Sequence, residues 1–421
     1  TTGANNTALG GGALSSNTTA SNNTAIGYAA LNSNTTGEDN VAIGEQTLES
    51  NTTANYNIAV GSQALEANTT GANNTAVGHQ SLTANTTGDS SVAVGYQALF
   101  TNTGTRNVGL GANALRSNTT GNDNNAVGTS ALYDCTTGHN NNAFGRQALR
   151  KVTTANENTA MGHDAGKEIT TGDENVAIGN LTLDACTTGT DNTAVGSRAL
   201  GAITTNSNCT AVGYQALTAN TASNNTAVGY YALAANTTSS QNTSVGGNSL
   251  KTNTTGSYNT AVGYAALEDH TDGERNTAVG QSALKNQTTS DYNTGVGQNA
   301  GASVTTGGNN LLLGYNSGSS ASPSGTITTG NSNVCLGNND IANLYCADTS
   351  ISSSDSRDKT DVEKFTHGLD WITAMNPVTY RWDRRSWYSE DKSVTPDGSK
   401  KRDRIHIGFI AQEAIEVEKK F

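Results

Sequence analysis

Bulk is scarce in this sequence of 421 residues: aromatic residues make up 5% of it and apolar residues of all kinds 34%. Large side chains fill a conventional core, so an interior built on Phe, Trp and long aliphatic residues is not expected. Basic residues are also scarce, and unevenly so. Positions 1–350 hold 10 Lys or Arg against 22 Asp or Glu, whereas positions 351–421 hold 13 of each. The first part should therefore repel nucleic acid and anionic membranes. No apolar run approaches the ~20 residues of a membrane span, so membrane insertion is not expected. The opening "TTGANNTALG" is no secretory signal, and the sequence reads as a fragment. The five cysteines (135, 186, 209, 335 and 346) are an odd number. Cys135 and Cys186 recur at one repeat position three coils apart, beyond bonding reach, so free buried thiols are expected, with a Cys335–Cys346 bridge left open. His79, His139, His163 and His270 show no ligand spacing, and neither a metal nor a cofactor is expected.

What the sequence has in plenty is repetition. "NTAVGHQSL" at Asn74 returns as "TAVGYQAL" at Thr210 and "NTAVGYYAL" at Asn225. The glycine closing each "AVG" falls at 10, 27, 44, 61, 78, 95, 111, 128, 145, 162, 179, 196, 213, 229, 246, 263, 280, 297, 314 and 337. Sixteen of the nineteen intervals are 17 residues, two are 16 and the last is 23. Elements of a single-core domain vary in length, so a period this regular specifies a solenoid.

Positions counted from the marker glycine show which kind. Position −1 is apolar in all twenty coils (Leu9, Ile26, Phe144, Met161, Val262) and +4 is Leu in most (Leu14, Leu65, Leu217); we assign both to the core. Positions −2 and +3 are small, mostly Ala, which lets backbones approach. Asn occupies −4 in eighteen of twenty coils, and Thr occupies +8 in every coil from Thr18 to Thr305. Identical polar residues stacked at about 4.8 Å can bond along a ladder, which suits β-structure and gives a helix nothing. Asn23, Asn74, Thr18 and Thr69 represent these rungs, and Gly27 and Gly78 the corners. Two helices with their turns do not fit in 17 residues. The pattern predicts a strand at "NTAVG", a tight glycine corner, a second short strand or helical turn at "YQAL", and an outer loop at "NTTG".

The repeats resemble the head repeats of trimeric autotransporter adhesins, over about residues 1–318. That resemblance implies a left-handed parallel β-roll assembled as a homotrimer. After it, "SISSSDSRDKTDV", "GLDWITAMNPVTYRW" and "HIGFIAQEAIEV" resemble the intramolecular chaperone of phage tailspikes and tail fibres, an auto-processing peptidase family first known from endosialidases. The resemblance implies that this segment trimerises, drives folding of the fibre before it and cuts itself away. Carried over, the nucleophile falls on Ser354 and its base on Lys359, with scission between Ser353 and Ser354. Arg357 would lower the lysine's pKa, and Asp355, His406 and Gln412 would support the loop. Without the resemblance, these polar residues read as the cap of a helix at "SRDKTDVEKF".

The expected organisation is an all-β parallel solenoid of about twenty coils over 1–318, homotrimeric, a strand-rich junction with a last divergent coil over 319–350, and the start of an α+β chaperone over 351–421. The many Asn-x-Thr triplets read as rungs rather than glycosylation sites, and no Gly-Gly-x-Gly-x-Asp calcium repeat is present. Three functions compete. The first is a virion tail fibre whose partners are its own copies, other tail proteins and a host glycan or receptor. The others are a bacterial surface adhesin stalk and an ice-binding solenoid. Any enzymatic activity would be a single self-cleavage by a Ser–Lys dyad.

Overall fold

The computed structural model describes residues 2–343, 374–381, 395, 397–399, 403 and 405–420. The chain divides into two compact units, Thr1–Leu344 and Tyr345–Phe421.

The first unit is an all-β parallel solenoid. Its twenty three-residue strands run from β1 (Thr7–Leu9) to β19 (Leu311–Leu313) and β20 (Val334–Leu336) and form one sheet. Each strand pairs in parallel with the next at equivalent positions, as in Thr24↔Val41, Ala25↔Ala42 and Ile26↔Ile43. The 16-residue interval keeps that register, with Val92 opposite Val108. So does the 23-residue one, with Leu311 opposite Val334. At about 4.8 Å per strand, the sheet extends on the order of 90 Å.

The core differs from the expectation at one column. Side chains alternate along a strand, so only the middle residue of three can point inward. That residue is the small one at −2: Ala25, Ala42, Ala59 and Ala76 are fully buried. Opposite them lie +3 and +4, with Leu31, Leu48 and Leu65 buried. The apolar −1 column, assigned above to the core, faces outward: Leu9 is 67% exposed, Met161 50% and Phe144 40%. An interior already filled by Leu at +4 has room across the sheet only for Ala.

The segment "YQAL" is neither strand nor helix. It is a series of turns in which +2 and +4 take the left-handed conformation, as at Gln63 (φ 58°) and Leu65 (φ 52°). The Ala64 N–H donates to the Gly61 carbonyl within the coil (3.1 Å), while Gln63 N–H bonds to Glu45 O (2.9 Å) and Leu65 N–H to Ser81 O (3.0 Å) in the coils on either side. Inter-coil bonding in both directions compensates for a backbone that ordinarily costs roughly 1–2 kcal/mol per residue. Where +4 is glycine, neighbours fill the space: a Cβ on Gly166 would meet Leu149 and Ile169.

In the second unit, β21 (Pro377–Tyr380) pairs antiparallel with β22 (His406–Phe409), with Val378 opposite Gly408, and the helix α1 (Ala411–Lys420) follows. The Asn376 side-chain amide donates to a Glu413 carboxylate oxygen (3.3 Å). Among the described residues, no helix is long and apolar enough to cross a membrane.

Candidate functional site

The polar columns bond along the solenoid. Asn74 donates its backbone N–H to Asn57 Oδ1 (3.0 Å) and its Nδ2 to the Gly88 carbonyl (2.8 Å), and its Oδ1 accepts from Ser91 N–H (2.9 Å). Asn23 does the same with Asn6 Oδ1 (2.9 Å) and the Gly37 carbonyl (2.8 Å). Thr18 Oγ1 donates to the Thr35 carbonyl (2.9 Å) and Thr69 Oγ1 to that of Thr86 (3.0 Å). Gly78 holds φ 134°, and a Cβ there would lie 2.5 Å from the Gly95 carbonyl oxygen. At Gly27, φ is 137° and a Cβ would strike the Gly44 carbonyl in the same way.

A second asparagine ladder went unread. At +7, Asn51 Nδ2 donates to Asn34 Oδ1 (2.9 Å) and Asn68 Nδ2 to Asn51 Oδ1 (3.1 Å). Its signal was available, since +7 is Asn in seven consecutive coils from Asn17 to Asn118. The shaft cysteines stand in for such rungs, Cys135 and Cys186 at +7 and Cys209 at −4. All are free and buried, as is Cys335, while Cys346 lies outside the described residues. Burial pushes the Cys135 thiol up to about 12 and the Cys186 thiol to about 11, so neither is a nucleophile at neutral pH.

The histidines are dispersed. His79 stacks on Tyr96 with ring centroids 5.8 Å apart, and His139 Nδ1 accepts from Asn122 N–H (3.0 Å). His163 Nε2 lies 2.8 Å from an Arg146 nitrogen, and His270 is fully buried.

The outer strand face is the least expected surface. Its two columns, −3 and −1, contain no charged residue in any of the twenty coils, in a chain of net charge −12. Position −3 is mostly Thr or Val, and −1 is always apolar. The period-2 alternation of "TAV" carries this information, because the strand's two β-branched residues flank the small one.

Of the residues assigned to self-cleavage, Ser353, Ser354, Asp355, Arg357 and Lys359 lie outside the described residues. His406 opens β22, and Gln412 is the second residue of α1.

Comparison with known families identifies the C-terminal segment. Residues 354–421 match the family model of the chaperone of endosialidase. The chain thus joins a parallel β-solenoid to an endosialidase-chaperone segment, the architecture that the sequence resemblance implied. No curated protein and no solved structure matches significantly, so the likeness of the repeats to autotransporter heads rests on their motif alone.

Proposed function

We propose that the chain is a structural fibre of a phage tail, a host-attachment appendage in which three copies lie side by side. The C-terminal segment directs their folding and then cuts itself away ahead of Ser354. The observation that carries this reading is the uncharged outer strand face, apolar along one whole column. Contiguous apolar surface beyond a few hundred Å² marks an interaction site, and this one runs the length of the sheet. The partner that repeats an uncharged row every ~4.8 Å is another copy of the same solenoid. A chaperone of the endosialidase kind favours the same conclusion, since it implies self-association.

The self-cleavage follows from ordinary serine chemistry. Once folding strips water from Lys359 and sets Arg357 beside it, the neutral amine takes the Ser354 hydroxyl proton, and the oxygen adds to the Ser353 carbonyl carbon. The Ser354 nitrogen leaves with a proton, and water hydrolyses the resulting ester. Sedimentation of the native chain should give a trimer, and a monomer overturns the fibre reading. An ice-binding solenoid would leave the strand face bare, so the same measurement separates the two. Intact mass should show a cut between Ser353 and Ser354 in wild type and none in Ser354→Ala or Lys359→Ala. Equal masses from a folded wild type and Ser354→Ala overturn the peptidase half alone.

A further inference from the structure

The outer strand face has two edges. The chain leaves it through +1 and +2, after the marker glycine, and enters it through the two residues preceding −4. In a closed ring of copies with this face turned inward, the leaving edge of one lies against the entering edge of the next, because a cyclic contact beyond a dimer joins two different patches.

Over a short stretch the two edges carry opposite charge. Arg146, His163 and Arg198 stand on the leaving edge, all exposed, and the one carboxylate there, Asp164, is buried and paired with Lys167 and His163 of its own chain. Glu157, Glu174 and Asp191 stand on the entering edge, each exposed and directly before the buried Asn158, Asn175 or Asn192. Glu157 and Glu174 border an open groove of about 470 Å³ that Asp123 and Asp173 also line. Among the described residues, neither Arg198 nor any of Glu157, Glu174 and Asp191 makes an ion pair, and the Arg146 guanidinium meets only His163. On either side lie stretches with no charge at all, residues 1–37 and 209–241, although residues 268–291 are again charged.

Resting on the self-association proposed above, we propose that these edges dock copy to copy, the basic edge of one against the carboxylates of the next, and that this patch confines the axial register of the fibre to a window of a few coils. Twenty near-identical coils offer many shifted alignments of almost equal apolar contact, the usual weakness of a repetitive strand surface. Charge narrows this degeneracy: in aligned coils Arg198 meets Asp191 and Arg146 meets Asn140, slips of one, two or three coils still set Arg146 against Glu157, Glu174 or Asp191, and further slips bring unfavourable alignments. A slip of four coils toward the C-terminus sets Arg146 against Asn208 and Arg198 against Tyr258, and one coil more sets Arg198 against Arg275.

The test uses the full chain and sedimentation across a concentration series. Arg146→Glu with Arg198→Glu reverses one edge, Glu157→Arg with Asp191→Arg reverses the other, and a third variant carries all four changes. Lys251→Glu with Lys285→Glu, both at +5 and off either edge, is the charge control. Each single-edge variant should need on the order of 10-fold more protein to assemble. The four-change variant should recover toward wild type, and the control should match it. Recovery excludes misfolding, since that variant contains every substitution of the other two. The proposal is overturned if single-edge variants assemble like wild type, if the combined variant does not recover, or if the control fails equally. A monomeric wild type removes the assembly reading and this proposal together, whereas an assembled wild type with indifferent edges removes the docking alone.

Discussion

The regular coils and the last one solve the same stacking problem with different lengths of chain. From Gly10 to Gly297 the marker glycines keep φ between 127° and 141°, but Gly314 has 100° and Gly337 73°. The interval between those last two is 23 residues, and the extra chain includes the turn from Ser319 to Gly325. The ladders nevertheless cross it. Asn333 N–H donates to Asn310 Oδ1 (2.9 Å) and Thr305 Oγ1 to the Thr328 carbonyl (3.2 Å). Leu is missing at +4, where Gly318 stands, and Leu312 and Ile327 reach toward the space a Cβ there would take. The strand and the polar columns therefore hold the register, and the turn between them is the replaceable part.

The largest test of that contrast sets two glycines against each other. Gly78→Ala puts a methyl group 2.5 Å from the Gly95 carbonyl oxygen at φ 134°, so the two coils cannot stack without a backbone shift. We expect a loss of about 4 kcal/mol or more in denaturant unfolding. Gly325→Ala, at φ 65° with nothing within 4 Å, should cost about 1 kcal/mol. Equal costs would mean that the marker column does not set coil spacing.

Next come the core and the two kinds of rung. Leu65→Ala should cost about 2–5 kcal/mol, because Leu65 is fully buried. Asn74→Ala leaves the Ser91 N–H unpaired in a buried column and takes one of two amide donors from the Gly88 carbonyl, which keeps Asn85 Nδ2 (3.0 Å), for about 2 kcal/mol. Thr69→Val removes only one hydroxyl donor to a carbonyl near the surface and should cost about 1 kcal/mol or less. Thermal unfolding of the three variants should rank them in that order. If Thr69→Val matched Asn74→Ala, the threonine column would be a principal support rather than a secondary one.

Much of this was legible because each position is reported about twenty times over. The parallel solenoid, its spacing and the polar residues at −4 and +8 all follow from reading columns rather than coils. The direction of the −1 side chains did not follow, because hydrophobicity alone assigns an apolar residue to the nearest core. Here the strand's alternation makes Ala76 the inward residue and Val77 the outward one. The left-handed Leu65 was also illegible: leucine is ordinarily unsuited to φ 52°, and its bond to Ser81 in one neighbouring coil, with that of Gln63 to Glu45 in the other, holds it there. At the C-terminal end legibility came from the motif around Ser354 and Gln412 and not from periodicity, and the family match covers the same residues.

The smallest expected effect concerns one rung where the ladder changes chemistry. His270 occupies the +7 column between Asn253 and Gln287. It is fully buried, and its Nε2 lies 2.8 Å from the Gly273 carbonyl. Its Nδ1 has no partner, and neither has Asn253 Oδ1, the atom that the next asparagine's amide would occupy in an unbroken ladder. Burial pushes the His270 pKa below its ordinary value, with the Gly273 carbonyl and the nearby Asp272 and Asp291 opposing it more weakly. The unfolded chain therefore binds this proton more readily than the folded one. Stability is at its full value above about pH 6.5 and is lost as pH falls from there toward the folded-state pKa. His270→Asn restores an amide donor facing Asn253 Oδ1. It should raise stability by about 1 kcal/mol at neutral pH, and by more at pH 5, because the asparagine does not titrate. Denaturant unfolding of wild type and variant at pH 5 and pH 7.5 checks both. A gap between the two proteins that stays constant with pH would show that His270 is only a misfitting rung and not a titrating one.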